Sequence, residues 1–147
     1  MWNKILLLIL LSIAYPAFGI LVSVNSVCSH TSHSYNFDSY DYNQDFEIYI
    51  SSYAPNPDYS FKIVSDKNLA DIVIEDNTSA GISICKSNYG KTIKIQNYGY
   101  DPDLIINISE FNNNADWTIY HNSKILSVNE AISILAVPTF SLIDQPP

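Results

Sequence analysis

The sequence predicts an all-β domain: seven short strands in an antiparallel meander, forming a sandwich or small barrel, with one short C-terminal helix. Three observations predict it. Apolar residues stand one and three places after an anchor at Asp45, Asp58, Asp71, Gly81, Thr92, Asp103 and Asp116, at steps of 10 to 13 residues. The residues between them are mostly polar (Glu47, Ser60, Lys62, Ser83, Lys94, Asn107, Thr118), so each copy has the period of two of a strand with one buried face. Turn formers collect between the copies, as in Ala54 to Pro57, Ser65 to Asn68 and Asn112 to Asn114.

Taken in order, residues 1–19 read as a secretory signal. Lys4 precedes the apolar run from Ile5 to Leu11, and Ala17 and Gly19 are small residues where a signal peptidase reads them. The rival is an uncleaved anchor, but Ser12, Tyr15 and Pro16 interrupt the roughly 20 apolar residues a spanning helix needs. Cleavage after Gly19 leaves a periplasmic or secreted chain with no stable membrane insertion. Residues 20–44 read as a polar, Tyr-rich arm, in which Ile20 to Val24 is either a first strand or the tail of the export segment.

Residues 45–147 form the β-repeat domain. Val73 and Ile105 are apolar at outward positions, which predicts cover on both faces of those two strands. Ordering the chain costs about 1–2 kcal/mol per residue. Each buried apolar side chain returns roughly 1.5–3 kcal/mol, so a sheet with one open face falls short and its apolar side must be covered. The candidate cover is a helix over 128–136. Ser127 and Glu130 have the spacing of a capping box, Val128, Ala131, Ile132, Leu135 and Ala136 recur at helical spacing, and Pro138 ends the run.

The step length also suits a narrow β-solenoid with parallel strands and stacked anchors. Uneven spacing and the repulsion of stacked Asp carboxylates favour the meander. The steps Ala70 to Ile74 and Ala115 to Ile119, and more loosely Pro57 to Phe61 and Pro102 to Ile106, resemble uncharacterised bacterial β-repeat proteins built on Ala-Asp-aliphatic-x-aliphatic steps. The resemblance covers residues 45–120, departs at Gly81 and Thr92, and implies no activity or functional residue.

Composition narrows the function classes. The chain carries a net charge of -8 and its seven basic residues are all Lys, which speaks against nucleic-acid binding and against anionic membrane surfaces. In an exported chain the two cysteines, Cys28 and Cys85, are expected to form a disulfide, with free thiols or metal ligation as alternatives. That bridge would close a long loop, worth on the order of 4 kcal/mol in the chain-entropy picture.

His30 and His33 near Cys28 are the weak metal candidates. Their spacing matches no closed zinc site, and no cofactor is expected. The Asp anchors lack a calcium-loop pattern and are read as turn formers. No nucleophile elbow or phosphate-binding Gly loop occurs, so no enzyme is expected. The tyrosines carry the binding expectation: Tyr35, Tyr40, Tyr42, Tyr49, Tyr53, Tyr89, Tyr98 and Tyr100 fall in loops or on outward faces, where aromatics supply rigid contact area. The expected function is a small exported module that recognises another envelope or secreted protein, inhibitor- or immunity-like. A self-associating structural repeat is the second reading, and an enzyme of unknown type the third.

Overall fold

Every described residue that immediately precedes a strand is Asp or Gly, and that rule organises the architecture. The computed structural model describes residues 19–26, 34–39, 42–98 and 100–137. The signal segment through residue 18, Cys28, His30, His33, Tyr40 and the tail from Pro138 lie outside them. The strands are β1 (Ile20–Asn25), β2 (Ser34–Phe37), β3 (Phe46–Ser51), β4 (Tyr59–Ile63), β5 (Ile72–Asp76), β6 (Ile82–Lys86), β7 (Lys91–Gln96), β8 (Leu104–Ser109) and β9 (Trp117–Asn122). A helix, α1 (Val128–Ala136), follows them.

The protein is all-β with one short helix, but the antiparallel meander of seven strands is not formed. The sheet is a closed barrel of nine strands, all paired in parallel, in the order β1-β5-β9-β4-β8-β3-β7-β2-β6. The two further strands, β1 and β2, come from the segment read as an arm. Consecutive strands lie two places apart around the ring, always in the same direction, so the chain circles the barrel nearly twice. The second circuit fills the gaps left by the first: β6 lies between β1 and β2, β7 between β2 and β3, β8 between β3 and β4, and β9 between β4 and β5. The narrow solenoid does not describe this either, because one circuit takes four to five strands and the sheet closes on itself.

Links of four to eight residues make this winding possible. Strands in a closed barrel are tilted, so each strand's end is already displaced sideways toward its successor. The link then returns across the outer face of the strand lying between. Outward Ser23 on β1 shows the crossing: its Oγ donates to Thr78 O and accepts from Thr78 N, both at 3.0 Å, in the link from β5 to β6.

The Asp residues secure five of these crossings. Asp45 N–H donates to Thr92 O at 2.9 Å, and Asp45 Oδ2 accepts from Thr92 N at 2.8 Å. The same reciprocal clasp joins Asp58 to Ile105, Asp71 to Thr118, Asp103 to Glu47 and Asp116 to Ser60, each carboxylate accepting the strand N–H at 2.7–2.8 Å. In a parallel pair the N–H and C=O of one residue bond to two different residues of its neighbour. Where the incoming chain has not yet joined the sheet, the second partner is missing, and the carboxylate replaces it. The Asp residues are thus structural acceptors, each followed by a strand.

Glycine occupies the same place before β1, β6 and β7. A Cβ at Gly19 would lie 2.4 Å from Ala70 O, at Gly81 2.4 Å from Leu21 O, and at Gly90 2.2 Å from Ser34 O. Gly81 and Gly90 also have φ of +96° and +125°. The links they end, 77–81 and 87–90, are the shortest of the barrel and lie directly on the crossed backbone. Among the repeat anchors, Thr92 therefore belongs inside β7, and Gly90 holds the equivalent position.

Alternate residues face the lumen: Val22 and Val24, Tyr35, Ile48, Phe61, Ile72 and Ile74, Ile84, Ile93, Ile106 and Ile119 are all buried in one cluster. Six successive residues of α1, Ala131 to Ala136, belong to the buried set, Ser133 included. A short helix buried on every side is surrounded, not laid on a surface. α1 therefore fills the lumen as a plug, where the sequence suggested a cover. It starts at the end of the barrel where strands finish: Ser127 and Glu130 form the capping box, and Glu130 Oε1 pairs with Lys86 Nζ, at the end of β6, at 2.7 Å. His121 Nε2 donates to Leu126 O at 2.9 Å, and Asp76 accepts from Ser123 Oγ and Lys124 N. These bonds fix the turn from β9 into the plug. No helix among the described residues is long and apolar enough to cross a membrane.

Candidate functional site

The plug and the apolar lining leave the outer face and the links as the places where chemistry is offered to solvent. The links after β3, β6 and β8 share one device. Ser51 Oγ accepts from Tyr53 N, Ser87 Oγ from Tyr89 N and Ser109 Oγ from Phe111 N, at 3.0–3.1 Å. A serine at the strand end closes a small turn through its hydroxyl, and the aromatic two residues on is turned out to water. Tyr98 holds the same place after β7, two residues beyond Gln96.

With Tyr42 and Tyr100 these residues make a set of exposed aromatics: Tyr42, Tyr53, Tyr89, Tyr98, Tyr100 and Phe111. They follow β2, β3, β6, β7 and β8, which are neighbours in the order β8-β3-β7-β2-β6. The links after β4, β5 and β9 carry no exposed aromatic. One arc of the barrel is therefore studded with aromatic side chains and the other is not.

At the middle of this arc lies a groove of about 590 Å³. Its floor is the outer face of β3 and β7: Glu47 stands beside Lys94 in register, and Tyr49 beside Gln96. Glu47 Oε1 pairs with Lys94 Nζ at 2.9 Å and also accepts from Gln44 Nε2, while Glu47 Oε2 accepts from Gln96 Nε2. Ser39, Ile95, Asn97, Tyr98 and Tyr100 complete the lining. The carboxylate is neutralised and saturated with donors. The two amides that hold it turn their other ends away: Gln44 Oε1 and Gln96 Oε1 are buried and have no hydrogen-bond partner among the described residues. Buried acceptors left unpaired cost about 1–3 kcal/mol each, and such groups are rare in folded proteins.

Two other depressions are less furnished. One, of about 470 Å³, lies between Ile63, Val64, Ser65, Glu110, Phe111, Tyr120 and His121; the other, of about 170 Å³, lies by Phe37 and Glu130 where the plug begins.

The expected site residues separate clearly. Tyr42, Tyr53, Tyr89, Tyr98 and Tyr100 are exposed on links, and Tyr49 is half-buried on the outer face of β3. Tyr35 is 1% exposed and faces the lumen as part of the core, out of reach of any partner. Cys85 is buried on the outward side of β6, and its Cα partners are Asn25 at the end of β1 and Ser34 at the start of β2. Tyr40, Cys28, His30 and His33 lie outside the described residues. Among the described residues no three His, Cys, Asp or Glu side chains come together as a metal cluster.

The sequence reading did not find Gln44, Glu47, Lys94 and Gln96 as a unit. Period two put Glu47 and Lys94 on the wet face, but nothing local brings residue 47 beside residue 94. No family model, curated protein or solved structure matches the chain.

Proposed function

We propose that this chain is a small exported binding module that recognises another envelope or secreted protein, inhibitor- or immunity-like, through the aromatic arc of its barrel. One observation carries the reading: six aromatics on links that follow neighbouring strands, three of them set by the same serine turn, stand in water where burial would be worth roughly 1.5–3 kcal/mol for a side chain of that size. Aromatics displayed on a rigid scaffold are what recognition surfaces use. Export is part of the proposal. β1 begins at Ile20, so cleavage after Gly19 leaves the barrel whole. The expected disulfide is supported by placement: the link from Ser26 to residue 33, which contains Cys28, leaves and rejoins the sheet on the two flanks of Cys85.

A photo-reactive residue placed at Tyr53, Tyr89 or Phe111 in the exporting cell tests the reading. The expected outcome is one covalent adduct with the same envelope or secreted protein from all three positions, and none from Ser79 in the link after β5. Absence of an adduct at all three positions, with the chain folded and exported, sinks it. Self-association remains the second reading, and adducts consisting only of this chain would favour it.

A further inference from the structure

We infer that the depression at the rim where β9, β4 and β8 finish seats an arginine side chain of the partner protein; the inference rests on the binding-module reading and names what the partner presents at one edge of the aromatic arc. The guest follows from what the depression offers and from the charge around it.

The depression, about 470 Å³, is lined by two aromatic rings of the Phe and Tyr type and one carboxylate. Phe111, 86% exposed, and Glu110, its chain neighbour, stand on the link after β8, and Tyr120 is half-buried on the outer face of β9. Glu110 meets no lysine and no hydrogen-bond donor among the described residues. Lys62 of β4 is committed elsewhere, its Nζ donating to Asn113 Oδ1 at 2.9 Å. An anionic guest would be repelled by Glu110 and would find no lysine in the lining. An apolar guest would strip water from the carboxylate and leave it unpaired. A cation satisfies both parts, since an aromatic face attracts it and the carboxylate pairs with it. A guanidinium adds a flat face that stacks on a ring and a fork of N–H groups that meets both carboxylate oxygens, which an ammonium lacks.

The wider arc carries the same surplus. Its three lysines are all engaged, Lys86 with Glu130, Lys91 with Asp45 and Lys94 with Glu47. Asp58, Asp101, Asp103, Glu110 and Asp116, on links of the same arc, form no ion pair among the described residues. Exposed aromatics set among unneutralised carboxylates complement a basic surface. The protein uses this chemistry on itself, with Lys86 Nζ 5.8 Å from the centre of the Phe37 ring.

Each wall is fixed before a partner arrives. On the link from β8 to β9, Ser109 Oγ accepts from Phe111 N at 3.1 Å, Asn113 holds Lys62, and Asp116 clasps Ser60 N at 2.7 Å. Opposite, Val64 N donates to Ile119 O at 2.9 Å, which carries the pairing of β4 with β9 one residue past the end of β4 and keeps Tyr120 beside it. Walls set in advance lose less freedom when a guest enters.

The test is a titration of the ¹⁵N-labelled mature chain with capped tripeptides, acetyl-Gly-X-Gly-amide, in which X is arginine, lysine or citrulline, the uncharged counterpart of arginine. At millimolar concentration the arginine peptide is expected to shift the amides of Ser65, Glu110, Phe111 and Tyr120, the lysine peptide less, and the citrulline peptide not at all. Glu110→Gln and Phe111→Ala change exposed side chains and should each weaken arginine binding about tenfold. Tyr53→Ala should leave it unchanged, and added salt should weaken it. If the arginine peptide moves none of those amides, if citrulline moves them equally, or if Glu110→Gln binds as the parent does, the pocket is wrong. The adduct experiment above separates this inference from the reading it rests on. Adducts at Tyr53 and Tyr89 that are lost in Glu110→Gln place the arginine on the partner protein. Adducts undiminished in Glu110→Gln keep the partner and remove its arginine from this pocket. Arginine-peptide binding with no adduct at any position would give the pocket to a free guanidinium compound and overturn its assignment to a protein.

Discussion

The barrel closes by two different means on its two sides. From β5 through β9, β4, β8 and β3 to β7, each strand is preceded by an Asp whose carboxylate clasps the next strand around the ring. From β7 through β2 and β6 to β1 and β5, the described crossings are made by Gly, with backbone laid on backbone. The clasped side has links of seven or eight residues and tolerates their length because each ends in two hydrogen bonds. The glycine side, where both flanking strands are described, has links of four and five residues, with no room for a Cβ. The difference teaches that one position in the repeat has one task, to satisfy the crossed strand, and that link length decides which residue performs it. Polar attraction serves long links, and close approach serves short ones.

The comparison breaks first at glycine. Gly90→Val adds a Cβ about 2.2 Å from Ser34 O at a φ of +125°. The expected loss exceeds about 4 kcal/mol, and circular dichroism with urea titration should find an unfolded or barely cooperative chain. A Gly90→Val protein as stable as the parent would mean that the crossing is not tight.

Reduction comes next. A Cys28–Cys85 disulfide would tie the chain between β1 and β2 to β6, the strand that lies between them. Replacing both by Ser should cost about 2–4 kcal/mol. Hydrogen exchange should show protection lost first in β1, β2 and β6, with the clasped side holding longer. Equal loss on both sides would erase the distinction.

A single clasp is worth less. Asp116→Ala leaves Ser60 N–H without its acceptor and removes the Ser60 Oγ contact at 2.9 Å, with an expected cost of about 1–3 kcal/mol in urea midpoint measurements. Asp116→Asn keeps an acceptor oxygen and should cost less. An Asn variant as poor as Ala would show that charge, not the acceptor, does the work.

The smallest effect is a pH dependence at Asp45. The Thr92 N–H holds its carboxyl below the ordinary range; burial opposes this, and the hydrogen bond and charge of Lys91 add to the lowering. A lowered native value means that the ionised form is favoured by folding, so its stabilisation is present above the usual aspartate value of about 3.9. It is lost as pH falls through the native value. The advantage of the parent over Asp45→Asn should therefore shrink in urea titrations as pH drops below about 4, and an advantage that grows there would contradict the assignment.

Much of this was legible in the residues, and the reason for the remainder is physical. Alternation read the buried face of β3 to β9 because burial is local to each strand. The Ser127 to Glu130 spacing read the start of α1 because capping is satisfied within four residues. The recurring Asp was legible but its task was not: read as a local turn former, it accepts instead from the N–H of a strand far along the chain, as Asp45 does from Thr92. Parallel pairing was not legible. A seven-residue link fits a hairpin as well as a crossing, and the choice depends on nine strands closing together. β2 was missed because Ser34 to Phe37 is short and mixed, and because Tyr35, which faces the lumen with Phe37, reads as a surface aromatic beside Ser34 and Asn36. The groove failed for the same reason as the sheet, since Glu47 and Lys94 meet only through the register of β3 with β7.

The interleaved winding has a consequence for how the chain comes to be. β1 pairs only with β5 and β6, β2 with β6 and β7, β3 with β7 and β8, and β4 with β8 and β9. No two of the first four strands touch by backbone. A chain cut, or still being translated, before Ile72 has four strands and no sheet, and the shortest separation between paired residues is that of Phe46 and Ile93 and its equivalents. Such distant pairing makes for slow folding, and it leaves the growing chain unfolded until its second half arrives, the condition in which a polypeptide can be threaded through a narrow channel.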